Sequence, residues 1–330
     1  MLLPGEKKPE TFMVGTISAD NSTPVTANTL FKVGSIAKTY TATLVARAIK
    51  ENKLSLNDQL GAYLPQYTKW KKITILQLVN QTSGIIGYDE TPNWWPNLIS
   101  VPNKIWTSSE LVQLAYNSPL QFSPGQSWAY SNTNYILLGM ILEKVFNQPI
   151  SNLMNTLISQ ASLSHTFYYP QAYDAKILAQ LAHGYFMNQF DETSLNESWL
   201  QTAGAILSTP SDMCLWMQTL FTDNKISGLP ISQNFNLVDT SDGKKSADNS
   251  IMSYSFGVFK EKTPVGIIYF TPGLTSGYVS MMVYAPSLHV YFAYSSSKAP
   301  TPGFHNFMIS SILNALSNNK AVNWRLAIHF

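Results

Sequence analysis

Ser35 and Lys38 stand three residues apart at the start of a segment whose apolar residues recur every three or four positions. Residues three apart share one face of a helix, so the spacing predicts that the lysine ammonium lies beside the serine hydroxyl. A serine hydroxyl is a poor nucleophile until a base removes its proton. Lysine can be that base when burial lowers its pKa from about 10.4. The pair therefore predicts acyl transfer to Ser35.

The same serine–lysine spacing recurs at three other places, and an ordinary serine that caps a helix is the alternative interpretation of any one match. Only Ser35 opens an amphipathic helix, over residues 35–51, because the others lie in a polar loop, at a strand end and after the last helix. These other pairs are Ser241 with Lys244, Ser295 with Lys298, and Ser317 with Lys320.

Tyr130 and Asn132 form a second group of chemically useful residues, just before an apolar helical pattern. A tyrosine beside the lysine can pass a proton to a leaving group, and an asparagine amide can hold both the lysine and a substrate amide. The alternative is a polar turn that caps the helix predicted from Asn134. Both interpretations stay open at the level of this motif alone.

Thr271, Gly273 and Leu274 follow the strand predicted over residues 265–270. A glycine there allows a substrate to approach the backbone closely. The N–H of Leu274 is the predicted second oxyanion donor, beside that of Ser35. Pro272 would lack its N–H on the same open side, which predicts an edge strand. A simple turn is the alternative.

The elements that must position these residues suggest an antiparallel sheet built from both ends of the chain, with helices packed on it and a helical insertion. Apolar periodicity of two predicts strands, and periodicity near 3.6 predicts helices. The predicted strands are residues 11–17, 255–259, 265–270, 277–285 and 290–295; the predicted helices are residues 35–51, 108–116, 134–146, 213–221 and 305–316.

A long irregular loop over residues 87–107 holds Trp94, Trp95 and Trp106 together with three prolines. Loops of this length in compact domains are uncommon and often functional. One interpretation is that the tryptophans line an apolar pocket beside the site. The other is that they pin the loop to the helical part of the molecule.

Composition excludes several classes of function. Charged residues make up 12% of the chain and the net charge is +2, so neither nucleic acid nor an anionic membrane surface is an expected partner. No apolar run reaches the ~20 residues of a membrane span.

The sequence lacks the His-Glu-x-x-His metal pattern, the Gly-x-Ser-x-Gly elbow and a glycine-rich phosphate loop, so we expect no metal and no cofactor. The expected partner is a small-molecule or peptide substrate.

Taken together and in this order, the three motifs resemble those of the serine β-lactamase and penicillin-binding-protein superfamily. The likeness is strongest to the branch of class C β-lactamases, related esterases and D-aminopeptidases. It extends over most of the chain, through residues 29–38, 54–65, 73–84, 123–139 and 203–209. The resemblance implies an α+β sandwich of the β-lactamase/transpeptidase type. Residues 1–55 and 200–330 would form the sheet domain, and residues 56–199 an all-helical domain.

The resemblance also implies a role for each motif residue. Ser35 would be the nucleophile, Lys38 its partner, Tyr130 the acid and base, and Asn132 a contact to substrate and lysine. Thr271, Gly273 and Leu274 would form the substrate-binding strand, with Thr271 replacing the lysine or histidine that usually opens this motif.

The expected function is therefore a serine hydrolase that acts through an acyl-enzyme on an ester, a D-amino-acid peptide or a β-lactam. Because a cation that binds a substrate carboxylate is missing, esterase or peptidase activity is favoured over true β-lactamase activity. The alternatives are a catalytically silent binding protein on the same scaffold and a fragment of a longer enzyme.

The amino terminus departs from the family pattern, since only the tail of the first strand is recognisable, near Met1 to Leu3. We expect a truncated first helix and strand, which would leave a sheet edge open. No signal peptide is recognisable in the sequence. The resemblance predicts a periplasmic or secreted protein, with a cytoplasmic location as the alternative.

Overall fold

The computed structural model describes residues 1–186, 190–222, 226, 237–243, 252–264, 266–298 and 304–317. Its strands are short in the first part of the chain and longer in the last third. They are β1 (Thr16–Ser18), β2 (Asn21–Pro24), β3 (Phe31–Lys32), β4 (Phe167–Tyr168), β5 (Tyr185–Phe186), β6 (Phe190–Asp191), β7 (Ile206–Ser208), β8 (Val238–Asp239), β9 (Met252–Ser255), β10 (Val258–Thr263), β11 (Gly266–Thr275), β12 (Tyr278–Ala285) and β13 (Val290–Ser296).

The helices occupy mainly the stretch between β3 and β8, with one more at the end of the described chain. They are α1 (Ala37–Lys50), α2 (Leu60–Tyr63), α3 (Ile75–Val79), α4 (Trp94–Ser100), α5 (Ser108–Tyr116), α6 (Asn132–Phe146), α7 (Ile150–Gln160), α8 (Ala175–Leu178), α9 (Gln201–Gly204), α10 (Pro210–Thr222) and α11 (Phe304–Ser317).

The largest sheet is an antiparallel meander in which the strands lie in the order β13-β12-β11-β10-β9-β8. Its strands alternate apolar residues between two faces, as the period of two requires. In β12, Met281 and Val283 face a cluster that includes Leu313 of α11, whereas Met282 joins the main core on the other face. Helices thus cover both faces of the sheet, as the predicted α+β sandwich requires.

Helix α1 lies in the main core and is buried along most of its length. The rings of Tyr40 in α1 and Trp216 in α10 stack at 4.1 Å, and Trp216 Nε1 donates to Thr39 Oγ1 at 2.7 Å. These contacts hold α1 in one orientation, which matters because Ser35 lies just before it.

Several predicted elements are confirmed, and others need correction. The predicted helices over residues 108–116, 134–146, 213–221 and 305–316 correspond to α5, α6, α10 and α11, and the strands over 277–285 and 290–295 to β12 and β13. The predicted strand over residues 255–259 was wrong, because Phe256 and Gly257 have φ of 49° and 83° and form a hairpin turn between β9 and β10.

The predicted strand over residues 11–17 was also wrong for most of its length. Strand β1 begins at Thr16 and pairs with β2 in a separate hairpin. Within the described residues the six strands of the main sheet all come from the later part of the chain, and the amino-terminal end adds only an isolated bridge. Near the amino terminus, Leu2 bridges to Tyr291 of β13, with Leu2 N donating to Tyr291 O at 2.7 Å.

The loop predicted over residues 87–107 contains helix α4, which starts after Asn93 in a left-handed conformation. Trp94 and Leu98, four residues apart, bury one face of this helix in the core. The division into residues 1–55 with 200–330 and residues 56–199 stays a prediction. In the part of the chain that the structure describes, no helix is both long enough and apolar enough to cross a bilayer.

Candidate active site

Ser35 lies in a short 3-10 turn, Gly34–Ile36, that leads directly into α1. The turn is possible because Gly34 has a φ of +52°, and a Cβ there would lie 2.7 Å from the carbonyl oxygen of Leu274. Ser35 is not the capping residue of either the turn or α1. Its side chain instead hydrogen-bonds to Lys38 and Tyr130, so the interpretation as an ordinary cap is wrong.

Lys38 is almost completely buried, with 1% of its surface exposed. Its Nζ donates to Ser35 Oγ at 3.0 Å, to Asn132 Oδ1 at 2.6 Å and to the carbonyl oxygen of Ala203 at 2.8 Å. Burial lowers the pKa of Lys38 to about 7, because water no longer solvates the charged form, while the nearby charge of Asp89 acts in the opposite direction. An amine with such a pKa exchanges protons readily near neutral pH.

Tyr130 reaches the same serine from a different part of the chain. Its hydroxyl donates to Ser35 Oγ at 2.7 Å, across a separation of 95 residues, and its ring lies 4.8 Å from Lys38 Nζ. Burial raises the pKa of Tyr130 well above its ordinary value, so the phenol is a proton donor at neutral pH. The predicted meeting of one hydroxyl, one ammonium and one phenol therefore occurs.

Asn132 is the first residue of α6, which starts two residues earlier than predicted. The preceding Ser131 makes no side-chain capping bond to the helix. The Asn132 amide instead bridges two charged groups: Oδ1 accepts from Lys38, and Nδ2 donates to Asp89 Oδ2 at 2.8 Å. Asn132 thus belongs to the hydrogen-bond network around Ser35.

Asp89 is a member of this network that the sequence motifs do not include. It lies in a 3-10 turn, Tyr88–Glu90, at the start of the tryptophan-rich loop. The sequence gives one indication of Asp89, an acidic residue shortly after the stretch that ends at Gly84. No rule of residue spacing connects this residue with Asn132. Burial raises the pKa of Asp89, although its own backbone N–H and the Asn132 amide favour the charged form.

The strand β11 lies directly against the turn that carries Ser35. A Cβ at Gly273 would lie 1.9 Å from the carbonyl oxygen of Val33, a distance that real atoms do not tolerate. The backbone N of Leu274 lies 2.9 Å from the place where a Cβ of Gly34 would stand. Glycine at both positions therefore lets the backbone of Leu274 come next to Ser35.

Pro272 and Leu274 lie where β11 changes from two neighbours to one. Strand β10 pairs with β11 only up to Phe270, whereas β12 pairs with it as far as Thr275. The prediction of an edge strand is thus wrong for β11 as a whole, yet the segment 271–275 has a strand neighbour on one side alone among the described residues. This is why a proline is tolerated there.

Thr271 is 3% exposed, and its hydroxyl donates to the carbonyl oxygen of Gly257 at 2.9 Å. The side chain therefore holds the β9–β10 turn against β11. A role for Thr271 in binding substrate stays a prediction, as do the roles assigned to Gly273 and Leu274.

The three tryptophans of the loop differ in burial, so the pocket interpretation and the packing interpretation do not apply equally to all of them. Trp94 and Trp106 are buried and pack on each other at 5.1 Å, so they pin the loop to the core. Trp95 is 48% exposed and meets the ring of Trp199 edge-on at 5.7 Å. Of the three, Trp95 alone exposes a large apolar surface to solvent.

Comparison with known proteins extends these observations. A family model described as Beta-lactamase matches residues 11–317. Penicillin-binding protein 4* of Bacillus subtilis (strain 168) is 27% identical over 79% of this chain and 59% of its own length. A beta-lactamase of Escherichia coli (strain K12) is 27% identical over 71% of this chain and 59% of its own length. The chain thus matches less than two thirds of either relative.

Solved structures with the same fold include a D-stereospecific amidohydrolase from Streptomyces sp., which is 26% identical, covers 81% of each chain and has a TM-score of 0.71. The D-amino acid amidase of Ochrobactrum anthropi SV3, solved with L-phenylalanine amide, has a TM-score of 0.81 at 21% identity and covers 97% of this chain and 92% of its own. At that identity the second likeness concerns the fold alone.

Proposed function

The chain belongs to the beta-lactamase family, and from this membership we propose that it is a serine hydrolase that forms an acyl-enzyme at Ser35. The observation that carries the proposal is the convergence of two proton-carrying groups on one hydroxyl. Lys38 Nζ and Tyr130 OH lie 3.0 Å and 2.7 Å from Ser35 Oγ, with Lys38 buried and Tyr130 half-buried. A hydroxyl held between a base and an acid is what nucleophilic catalysis requires.

In the proposed acylation step, Ser35 Oγ attacks the substrate carbonyl carbon while its proton passes to neutral Lys38. The N–H groups of Ser35 and Leu274 stabilise the oxyanion that forms. When the bond to the leaving group breaks, Tyr130 gives that group its phenolic proton, and the proton held by Lys38 replaces it. The products are an acyl-Ser35 ester and a neutral leaving group.

In the proposed deacylation step, a water molecule attacks the acyl carbon of the Ser35 ester. Tyr130 takes a proton of that water while it gives its own phenolic proton to neutral Lys38, and Lys38 then returns a proton to Ser35 Oγ as the acyl bond breaks. The carboxylic acid leaves and the hydroxyl is restored. The same pair of groups thus acts once as acid and once as base.

We propose an ester or a D-amino acid amide as the substrate class, ahead of a β-lactam. A β-lactam carries a carboxylate, and Thr271 stands where a cation for that group would be expected by family resemblance. The Thr271 side chain is buried and bonded to Gly257, so it carries no charge to the substrate. The similarity to a D-stereospecific amidohydrolase at 26% identity supports the same choice.

Replacement of Ser35 by alanine tests the proposal. We expect the wild type to hydrolyse p-nitrophenyl esters or D-phenylalanine amide and to be labelled by a fluorophosphonate. The variant Ser35→Ala should lose labelling and at least roughly a thousandfold in turnover. The matched control is Ser295→Ala, since Ser295 shares the spacing to a lysine but lies in β13 and hydrogen-bonds to Ser280. A Ser35→Ala protein that keeps both labelling and turnover disproves the proposed nucleophile.

The second candidate function is a catalytically silent binding protein, and the absence of a cation at Thr271 is the observation that favours it. Assays with nitrocefin, p-nitrophenyl esters and D-amino acid amides distinguish the two. A sample with a cooperative melting transition that hydrolyses none of them would favour the binding role. A sample without such a transition would instead indicate an incomplete fragment.

On family membership we also propose that the protein acts outside the cytoplasm. Fractionation of the source cells, with an antibody against the purified chain, tests this location. Recovery in the cytoplasmic fraction alone would refute it, without affecting the proposed chemistry.

A further inference from the structure

Asp89 lies two hydrogen bonds away from Lys38, with the Asn132 side chain between them. Asn132 Nδ2 donates to Asp89 Oδ2 at 2.8 Å, and Asn132 Oδ1 accepts from Lys38 Nζ at 2.6 Å. The three side chains form a chain of donors and acceptors that ends at Ser35 Oγ, to which Lys38 donates at 3.0 Å. A carboxylate is thus connected through Asn132 to the lysine beside the Ser35 hydroxyl.

The Asn132 amide has two ends of similar shape, and only one orientation serves Lys38. With the amide reversed, Nδ2 would face the ammonium and two donors would meet without an acceptor. A carboxylate can only accept hydrogen bonds, so Asp89 requires Nδ2 on its own side and leaves Oδ1 for Lys38. Asp89 therefore selects the orientation in which Lys38 is held toward Ser35.

The charge of Asp89 also reaches Lys38. Lys38 is 1% exposed, and the rings of Tyr130 and Tyr135 lie 4.8 Å and 5.7 Å from Nζ, so little water reaches its ammonium. Burial lowers the pKa of Lys38, and Asp89 is the acidic group of the described chain that raises it again. Without Asp89, the ammonium would lose its proton at a lower pH.

Ionisable neighbours of Asp89 lie in its own turn and in the segment that carries Tyr130. Its negative charge contributes to the raised pKa of Tyr88, of Tyr130 and of Glu90, after the larger effect of burial in each case. Glu90 lies on the solvent side of the turn, within 3.5 Å of Gln121 Nε2. It is therefore a second carboxylate of the same turn, outside the chain of bonds to Ser35.

We propose that Asp89 is a positioning residue: its carboxylate fixes the orientation of the Asn132 amide and, through it, the position of Lys38, while its negative charge favours the ammonium form of that lysine. The proposal deepens the proposed function, because it assumes that Lys38 serves Ser35. The protonation of Lys38 then depends on Asp89, which does not touch the proposed nucleophile Ser35. As a positioning residue, Asp89 does not touch the substrate either.

The variant Asp89→Asn tests the proposal, since it removes the charge and keeps the shape. Lys38 accepts the Ser35 proton only when it is neutral, so kcat/KM rises with pH through the pKa of Lys38. Removing the negative charge lowers that pKa, and the acid limb of the kcat/KM profile for a p-nitrophenyl ester should move to lower pH. The plateau value of kcat should also fall, because the Asn132 amide is no longer held. The control Glu90→Gln should give the wild-type profile.

A titration that does not need turnover separates this proposal from the proposed function. In protein labelled with ¹³C at lysine Cε, the Lys38 signal is identified by its absence from Lys38→Met, and its midpoint should be lower in Asp89→Asn than in the wild type. An unchanged midpoint together with an unchanged rate profile would overturn the role of Asp89. If Asp89→Asn does not fold, Asp89→Ser, which leaves room for water, is measured in the same two ways.

Discussion

The chemical character of Lys38 is set by burial and not by a neighbouring cation. Its pKa falls to about 7 because the protein replaces the water around the ammonium, and the remaining hydrogen bonds come from Ser35, Asn132 and Ala203 O. This is one of the general ways in which a lysine becomes a base at neutral pH. At the scale of single residues, activity should therefore follow the charge of this one group.

The pH dependence of the proposed activity of the wild-type protein is the first prediction at this scale. We expect kcat/KM for a neutral ester to rise with a midpoint near pH 7, because Lys38 must lose its proton to accept that of Ser35. No loss should follow until strongly alkaline pH, since burial raises the pKa of Tyr130 well above its usual range. A stopped-flow or plate assay with a neutral leaving group measures this, and a flat profile between about pH 5 and 9 would contradict it.

At the scale of elements, the site depends on how β11 meets the turn before α1. The strand is paired on both sides up to Phe270 and on one side from Thr271 to Thr275. Where the ladder with β10 stops, the Thr271 hydroxyl bonds to Gly257 O and holds the two strands together. The same segment lies against the turn that carries Ser35, because Gly34 and Gly273 have no Cβ that would keep the two backbones apart.

Substitution of Gly273 by alanine tests this contact. A Cβ would stand 1.9 Å from Val33 O, so β11 must move away from the turn of Ser35. We expect a loss of about 1–3 kcal/mol in the free energy of unfolding and a loss of activity on the order of a hundredfold or more. Urea denaturation and ester hydrolysis measure the two effects.

The matched control is Gly266→Ala, at the other end of the same strand. Gly266 has a φ of +111°, so alanine should be strained there, but its Cβ would lie near Ser287 and not near the site. We expect a loss of stability with nearly unchanged specific activity. Equal losses of activity in both variants would mean that the effect at Gly273 comes from general destabilisation of β11.

At the scale of the whole molecule, a buried ion pair connects three distant parts of the chain. Lys32 of β3 lies 3.6 Å from Glu197, which precedes α9, and both side chains are fully buried. Glu197 also accepts from Thr275 Oγ1 of β11 at 3.0 Å, and Lys32 donates to the backbone oxygens of Glu192 and Leu195. The pair thus connects the segment before Ser35 to the strand beside it.

Removing one partner of this pair should destabilise the fold strongly. The variant Lys32→Met leaves the Glu197 carboxylate buried without its counter-charge, and we expect a loss of about 3–5 kcal/mol in the free energy of unfolding. Adding Glu197→Gln to Lys32→Met should recover part of that loss, because no uncompensated charge remains. The midpoint of urea unfolding measures each variant.

The exposed pair of Glu51 and Lys53, at 2.8 Å, provides the contrast. We expect Glu51→Gln to change stability by less than ~1 kcal/mol, since exposed ion pairs contribute little. If Lys32→Met were as mild as Glu51→Gln, the buried pair would not be a link between the three segments.

The features that depend on local pattern could be predicted from the sequence. Ser35 and Lys38 share a helical face because they are three residues apart, and the helices α5 and α6 follow from their apolar period. The convergence with Tyr130 could be predicted only through the resemblance to a family, since 95 residues separate the two side chains. The same resemblance gave the position of β11 beside the nucleophile.

The other features of the fold and of the candidate site were decided by the tertiary structure alone. The turn at Gly257 interrupts a run that reads as one strand, and α4 forms in a stretch that reads as a loop, because Trp94 gains a buried face there. The bond from Asp89 to Asn132 spans 43 residues, and the pKa of Lys38 depends on water excluded by several elements at once. Such effects arise from the proximity of distant segments and from shared burial, neither of which is encoded in the spacing of neighbouring residues.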